Sequence, residues 1–252
     1  MRYRPHVPRC VVIGFGFIVA FGFLALALRA GDPPPDLVRR VAARETLDEQ
    51  ERNNYTWRQT FTIAELNAHG METGRYREVR DVLFSPEGKR TEELLDKPSD
   101  TLTHIKLTNE DFADLRDIQP LLLTTERLFM YESHFKGDEP VDGVDCWVLQ
   151  IQPRQILAGQ RLFDGLIWVE KKSWAIVRSE GQAVPQVHGS KHENLFPRFT
   201  TVRQLVDGHW FPAWTLGDDT LYFRNGPQRE RLSVRYENYK RFTAETTIHY
   251  EQ

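Results

Sequence analysis

The stretch RLFDGLIWVEKKSWAIVRSEG, residues 161–181, carries the pattern that decides the fold. Two apolar runs, RLFDGLIWVE and WAIVRSEG, are separated by the polar residues KKS. Apolar runs that flank a short polar turn are typical of two strands joined as an antiparallel hairpin. Leu166 and Trp168 alternate with Ile167 and Val169, so both faces of the first strand are apolar. The sheet that contains this strand must therefore be covered on both faces.

The same strand–turn–strand pattern repeats along most of the chain. YTWRQTFTI, residues 55–63, alternates ring-bearing or aliphatic residues with polar ones, as expected for a strand with one buried face. Turns that contain glycine follow about every 8–12 residues, the spacing of strands joined by hairpins. With 40% hydrophobic residues, the chain also has enough apolar material for a substantial core. The sequence predicts a mainly β protein of the α+β class, with a strongly curved antiparallel sheet of about 11 strands.

Two segments break the strand pattern. Residues 36–53, DLVRRVAARETLDEQERN, predict a charged lead-in helix whose sparse apolar positions are Leu37, Val41 and Leu47. Residues 107–128 predict a helical insertion. Its start is given by a capping pair and its apolar face by residues at helical spacing, and a proline ends it; these residues are Thr108, Asp111, Phe112, Leu115, Ile118 and Pro120.

The stretch DGHWFPAWTLGDDTLYFR, residues 207–224, places Asp218 next to Asp219. Glycine followed by aspartate is favoured in tight turns, so Gly217, Asp218 and Asp219 are predicted to form a turn between two strands. A metal site or a catalytic pair is the alternative. Adjacent residues at a strand end point to opposite sides, however, and two such carboxylates would not converge on one substrate atom.

The N-terminus predicts export. Residues 11–28 are 18 consecutive apolar residues after an arginine-containing start, which suits either a signal peptide or a minimal membrane anchor. Both alternatives place the rest of the chain outside the cytoplasm. We therefore divide the chain into residues 1–30 as signal peptide or transmembrane anchor, a Pro-rich spacer and lead-in helix at 31–54, one domain at 55–242, and a tail at 243–252.

The charge distribution argues against nucleic acid as a partner. The chain has a net charge of −3, but residues 1–30 hold four arginines and no acid. The remainder has 29 basic and 36 acidic residues, a net charge of −7. A domain of this sign does not attract a phosphate backbone. Cys146 is the one cysteine in the domain, so no internal disulfide is expected, and its strand setting predicts a small buried side chain.

No sequence motif of an enzyme or a cofactor site is found. The best candidate for a metal is VHGSKHE, in which His188, His192 and Glu193 would have ligand spacing if the stretch were helical. The neighbouring Pro185, glycine and serine favour a solvated connection between strands instead. We expect no cofactor and no enzyme activity.

The excess of apolar residues leaves two interpretations open. Either helices and sheet curvature close an ordinary core, or a curved sheet leaves an apolar hollow for an acyl chain. The rings expected to face that hollow or the adjacent core, and hence to contact a ligand, are Trp57, Phe61, Trp147, Trp168, Trp210, Trp214 and Tyr222.

DGLIWVEKKSWAIVRSEG, residues 164–181, and DGHWFPAWT, residues 207–215, resemble motifs of the lipoprotein-carrier superfamily, the LolA/LolB-like proteins. Over residues 55–242 the chain is similar to outer-membrane lipoprotein-sorting-like proteins of bacteria. The resemblance implies an incomplete antiparallel barrel around an apolar cavity, with helices as its lid. In carriers of this fold the cavity receives the acyl chains of lipoproteins between membranes.

The sequence leaves three candidate functions to be tested. The first is a non-enzymatic lipid- or lipoprotein-binding protein of the periplasm and cell envelope, secreted or anchored by residues 11–28, whose partner is an acyl chain. The second is a structural or protein-interaction domain with a closed core, whose partner is another envelope protein. The third is a metal-dependent hydrolase at His188, His192 and Glu193.

Overall fold

The structure is a computed structural model that describes residues 33–85, 89–117, 123–189 and 193–242. The predicted signal peptide or anchor at residues 1–30 and the predicted tail at 243–252 lie outside the described residues. The chain divides into two units, and the described residues all belong to the second, Asp32–Gln252. In the described ranges, neither helix combines the length and the apolar composition that crossing a bilayer requires.

The described part of the second unit is mostly strand, with one helix before the sheet and one inserted into it. The helices are α1 (Leu37–Arg52) and α2 (Asn109–Asp117), with one 3-10 turn at Leu128–Met130. The strands are β1 (Tyr55–Leu66), β2 (Glu72–Phe84), β3 (Arg90–Leu94), β4 (Ser99–Asp100), β5 (Tyr131–Asp138), β6 (Cys146–Pro153), β7 (Leu162–Glu170), β8 (Ile176–Val184), β9 (Val187–His188), β10 (Glu193–Asn194), β11 (Phe199–Val206), β12 (His209–Phe223) and β13 (Gly226–Arg241).

Eleven of these strands form one antiparallel sheet in the order β3-β2-β1-β13-β12-β11-β8-β7-β6-β5, with β4 paired to β2. Most neighbours in the sheet are also neighbours in sequence, as hairpins require. The exceptions are β1 beside β13, β8 beside β11, and β4 beside β2. Within the described residues, β3 and β5 end the sheet and do not pair with each other, so the barrel is incomplete. The predicted fold class, including the strand number, is confirmed.

Alternation along the strands gives the sheet two unlike faces. The inner face, defined here as the face that α1 and α2 cover, carries the main core, which includes Phe61, Leu149, Ile167, Phe199 and Val234. The outer face is the opposite one. It carries a small cluster made of Cys146, Val148, Trp168 and Val177.

The hairpin that contains residues 161–181 forms β7 and β8 as predicted. Gly165 pairs directly with Gly181 across the hairpin. A Cβ atom on Gly165 would lie 2.2 Å from the Glu180 carbonyl oxygen, and one on Gly181 would lie 2.6 Å from the ring of Phe163. The two glycines therefore let this ring lie flat on the sheet, where it joins the inner core.

Helix α1 forms where the charged segment predicted it, but its buried stripe differs from the expected one. Leu37 and Val41 are buried, whereas Leu47 is 57% exposed. The stripe continues through Glu45 and Asp48, which are buried despite their charge. The expectation for Leu47 was wrong because it lies off the face that the spacing of residues 37, 41, 45 and 48 turns towards the sheet.

Helix α2 begins with the predicted capping pair. The backbone N–H of Thr108 donates to Asp111 Oδ2 at 2.7 Å, and the Asp111 N–H donates to Thr108 Oγ1 at 3.3 Å. Phe112 and Leu115 then pack against the inner core. The predicted continuation through Ile118 and Pro120 lies outside the described residues.

The turn predicted at Gly217, Asp218 and Asp219 is wrong, because β12 runs unbroken through these residues to Phe223. The Asp218 carboxylate accepts hydrogen bonds from Arg229 at 2.9 Å and from Arg231 at 2.7 Å on the neighbouring strand β13. These cross-strand ion pairs stabilise an aspartate within a strand. The chain reverses only after Phe223, before Gly226.

Candidate ligand-binding surfaces

The inner face gathers rings from strands and helix around β1. Trp57 lies 5.6 Å from Phe84 and 5.7 Å from Tyr239 between ring centroids. Phe61 lies 6.1 Å from Phe112 of α2, which crosses over it. Two of the predicted ligand-contacting residues, Trp57 and Phe61, are therefore buried together on this face.

Trp147 of β6 packs at the edge of the same inner core. Its ring lies 4.9 Å from that of Trp174, in a tilted stack. The guanidinium of Arg40 on α1 lies 4.7 Å from the centre of the Trp174 ring. Cation–π contact of this kind holds the N-terminal half of α1 against the sheet.

Trp168 and Trp210 lie on the outer face. Trp168 pairs across the sheet with Val148 and Arg178, and the Arg178 guanidinium lies 4.5 Å from the centre of its ring. The indole N–H of Trp210 donates to Glu170 Oε2 at 3.1 Å. These two rings are separated from Trp57 and Phe61 by the thickness of the sheet.

Trp214 and Tyr222 are exposed, by 36% and 71% respectively. Trp214 lines an outer-face groove of about 460 Å³ together with Val202, Leu216 and Arg178. The seven predicted ligand-contacting residues thus do not form one site, and three of them belong to the inner face. That any of the seven contacts a ligand stays a prediction.

The cover over the inner face is held by a polar clamp, which we define as Glu45 and Asp48 of α1 with Arg203 and His209 of the sheet. The Glu45 carboxylate accepts two hydrogen bonds from the Arg203 guanidinium, at 2.7 and 2.8 Å, and both side chains are buried. Asp48 lies 2.8 Å from His209 Nδ1 and also accepts from Arg44 at 3.0 Å. Sequence reasoning missed this clamp, although the helical spacing of residues 41, 45 and 48 contained a signal for it.

Beneath the cover the inner face is closely packed. Two pockets there, one beside Ile105 and Phe196 and one beside Trp57, have cavity volumes of about 20 Å³ each. A single water needs about 10–15 Å³ and a typical ligand pocket offers about 300–1,000 Å³. Neither of these two pockets, among the described residues, therefore offers the open hollow that the family resemblance implies.

An acidic group is buried at the first of these pockets. Glu230 of β13 lines it with Asp111 of α2, and Glu230 pairs across the sheet with Glu65 and Asp219. Burial, followed by repulsion from Asp111, Asp219 and Glu65, raises the pKa of Glu230 to about 8. The neighbouring Glu65 has a different environment from Glu230. The backbone N–H groups of His104 and Ile105 each donate a hydrogen bond to the Glu65 carboxylate at 2.6 Å.

The geometry of the described residues does not support the metal hypothesis. His188 and Glu193 lie on β9 and β10, which form a short hairpin and not the helix that ligand spacing required. His188 Nδ1 is 3.5 Å from Glu193 Oε1, and His192 lies outside the described residues. In the ranges that the structure covers, no group of three His, Cys, Asp or Glu side chains is arranged to hold a metal.

Cys146 is buried, as its strand setting predicted. Burial raises the pKa of its thiol to about 11, so the reactive thiolate is scarce at neutral pH. Cys146 is a packing residue of the outer cluster.

No family model and no curated protein sequence matches the chain. Solved structures do show similarity. A DUF1329 family protein from Desulfovibrio piger is 14% identical, with a TM-score of 0.42 over 86% of this chain and 96% of that chain. A LolA superfamily protein from Nitrosomonas europaea is 13% identical, with a TM-score of 0.33 over 80% of this chain and 94% of that chain.

An outer membrane lipoprotein-sorting protein domain from Vibrio parahaemolyticus is 14% identical, with a TM-score of 0.33 over 81% of this chain and 93% of that chain. The last two structures carry the names of the proteins that the hairpin motifs resemble, but at TM-scores below 0.5 they carry no argument. The likeness concerns the fold alone, and any function must be argued from the geometry of this chain.

Proposed function

We propose that the domain is a non-enzymatic, extracytoplasmic protein of the cell envelope that binds the acyl chain of a lipid or lipoprotein on the inner face of its half-barrel. The observation that carries the proposal is the contrast between this face and its cover. The face is apolar and aromatic from β2 to β6, whereas the cover consists of two short, mainly polar helices.

Moving α1 away from the sheet has a limited cost in apolar burial, in addition to the loss of the Glu45–Arg203 pair. Helix α1 buries two large apolar side chains, Leu37 and Val41, each stabilising by about 1.5–3 kcal/mol. An acyl chain recovers about 0.8 kcal/mol for each buried CH₂ group, so a chain of about 16 carbons gains on the order of 10 kcal/mol. Since the pockets under the cover are small, we expect the acyl chain to enter between the helices, by parting α1 from α2.

A disulfide across the cover tests this route. Thr46 of α1 and Thr125, which follows α2, have their hydroxyl oxygens 3.2 Å apart, so cysteines at these positions place their sulfur atoms close together. The protein to use is the compact unit at residues 32–252, carrying Thr46→Cys and Thr125→Cys. It is exposed to vesicles of a palmitoyl phospholipid, separated from them, and examined by native mass spectrometry.

We expect the unmodified protein and the reduced double variant to retain one lipid per chain, and the oxidised double variant to retain none. The single variant Thr125→Cys under oxidising conditions is the matched control and should retain lipid. Failure of the unmodified protein to retain any acyl ligand would remove the proposed function. Equal uptake by the oxidised double variant would remove only the route between the helices.

The outer groove favours a second candidate function, the binding of another envelope protein. Trp214 and Leu216 are large apolar side chains that remain exposed beside the buried Trp168 cluster. Exposed apolar grooves of this kind often mark interaction sites. If this function holds, Trp214→Ser abolishes capture of one envelope protein while lipid retention is unchanged. If Trp214→Ser captures the same proteins as the unmodified chain, the groove is not the interaction site.

A further inference from the structure

Three arginines meet at one end of the inner face, although they come from separate elements. Arg52 ends α1, Arg90 begins β3, and Arg116 lies in the last turn of α2. All three line the pocket beside Trp57, which we name the arginine pocket. Its floor includes the rings of Trp57, Tyr236 and Tyr239, and its lining among the described residues includes no carboxylate.

Two of the guanidiniums lie against the Trp57 ring. The Cζ atoms of Arg52 and Arg90 lie 6.0 and 5.8 Å from the centre of the Trp57 ring. Burial lowers the pKa of Arg90, and the nearby charges of Arg52 and Arg116 lower it further against the opposing effect of Glu92. An arginine stays protonated in spite of such shifts, so Arg52 and Arg116 repel Arg90, although Arg90 is also paired with Glu92 at 2.7 Å. An anion placed between them relieves that repulsion.

Donors at this pocket also lack acceptors. Arg52 Nε, Arg90 Nε and Trp57 Nε1 are buried N–H groups that no acceptor of the described residues reaches. A buried donor left without a partner costs about 1–3 kcal/mol, and a cluster of such donors points to an acceptor supplied from outside the chain. Guanidinium groups bind phosphate and carboxylate oxygens especially well, through paired charge-assisted hydrogen bonds.

We propose that the arginine pocket, which must widen from its present volume of about 20 Å³ as α1 and α2 part, binds the oxyanion head group, phosphate or carboxylate, of an amphipathic ligand whose tail lies against Trp57 and Tyr239. The inference rests on the proposed function, since it assigns the head group of the same acyl ligand. The positive charge of the arginine pocket contrasts with the net negative charge of the domain. The positive potential is therefore local to this end of the half-barrel.

Calorimetric titration of residues 32–252 tests the site with four probes: dodecyl phosphate, dodecanoate, uncharged dodecyl maltoside and inorganic phosphate. We expect dodecyl phosphate to bind about tenfold or more tightly than dodecyl maltoside. In Arg52→Gln with Arg90→Gln, dodecyl phosphate should bind on the order of 100-fold more weakly, while dodecyl maltoside is unchanged. Arg77→Gln is the matched control, because Arg77 is exposed on β2 and outside the pocket lining, and it should leave both affinities unchanged.

The outcomes separate the site from the function. If the double variant binds dodecyl phosphate as the unmodified protein does, the arginine pocket is not the head-group site, although the proposed function stands. If dodecyl phosphate, dodecanoate and dodecyl maltoside all fail to bind, the proposed function fails. Binding of inorganic phosphate as tightly as dodecyl phosphate would mean a free oxyanion and would overturn the head-group assignment.

The exposed Arg116 offers a version of the test that does not disturb folding. Arg116→Gln should weaken dodecyl phosphate binding about threefold to tenfold, with dodecyl maltoside unchanged. Equal binding of dodecyl phosphate by Arg116→Gln and the unmodified protein would count against a shared three-arginine site. Dodecanoate should follow dodecyl phosphate in every variant, because both carry the oxyanion.

Discussion

The inner and outer faces belong to the same strands, yet they use apolar and charged residues in opposite ways. On the inner face Phe199 is buried under the cover, and charges such as Glu45 and Arg203 are buried as a pair. On the outer face Trp214 is partly exposed, and the ion pair of Asp218 with Arg231 faces solvent. Apolar residues on both parities of a strand therefore do not mean two equally buried faces. The inner face carries the core, and the outer face leaves apolar surface accessible to solvent.

Removing a ring from each face should give the largest contrast. Phe199→Ala deletes a buried ring that contacts Phe163 and Phe196, so we expect a loss of about 4 kcal/mol in the free energy of unfolding. Trp214→Ala on the outer face should cost less than about 1 kcal/mol. Urea unfolding of both variants measures the two values. Similar losses for the two variants would mean that the faces are energetically alike.

Breaking the clamp should have the next largest effect. Arg203→Met leaves the Glu45 carboxylate buried without its partner, and we expect a loss of about 3 kcal/mol in the free energy of unfolding. Adding Glu45→Gln to Arg203→Met should restore part of that loss, because the buried charge is gone. A double variant as unstable as Arg203→Met alone would show that packing of the arginine, and not the charge, holds the cover.

Neutralising Glu230 should stabilise the inner face in a pH-dependent way. Because the folded-state pKa of Glu230 is raised from 4.5 to about 8, its contribution to stability is complete below pH 4.5 and is lost as the pH rises to about 8. Glu230→Gln cannot ionise, so it should be more stable than the unmodified protein at pH 8, by an amount that grows between pH 4.5 and pH 8.

Thermal unfolding between pH 5 and pH 8 measures this difference, which should shrink towards pH 5. Glu237→Gln, an exposed substitution on the same strand, is the control and should change stability by less than about 0.5 kcal/mol. A constant difference between Glu230→Gln and the unmodified protein at all pH values would show that Glu230 does not titrate in this range.

The outer ion pair should give the smallest effect. Although partial burial opposes it, hydrogen bonds from Arg231 and Arg229 lower the pKa of Asp218, so its contribution to stability is present at neutral pH and is lost as the pH falls. Because these side chains are largely exposed, Asp218→Asn should cost less than about 1 kcal/mol at pH 7. A loss comparable to that of Arg203→Met, measured by the same urea titration, would contradict the contrast between the faces.

Local features of the fold were predictable from sequence because local patterns determine them. The hairpin at residues 161–181 and the capping pair Thr108–Asp111 were both identified from residues close in sequence. The turn at Gly217 was predicted wrongly because the local preference for a turn is weaker than two interactions with β13. These are the strand pairing and the ion pairs with the arginines of β13, and both involve residues distant in the sequence.

The candidate sites were harder to predict because they join distant residues. Glu45 and Arg203 are 158 positions apart, and the arginine pocket needs residues 52, 90 and 116 brought together by the pairing of β1 with β2 and β13. The alternation of residues along β13 did indicate part of the buried site, because Glu230 lies on the same side of the strand as Leu232, Val234 and Tyr236. It could not show which parity faces the cover.

The pairing of the first long strand with the last has a mechanical consequence. Tyr55 at the start of β1 lies opposite Arg241 at the end of β13, and the Phe242 N–H donates to the Asn54 carbonyl at 3.0 Å. A force that pulls the two ends of the domain apart therefore loads these hydrogen bonds one after another, like a zipper, and not all at once in shear. A modest tension on flanking segments would peel β13 from β1, starting at the end where Arg241 lies, and would open the half-barrel along that seam.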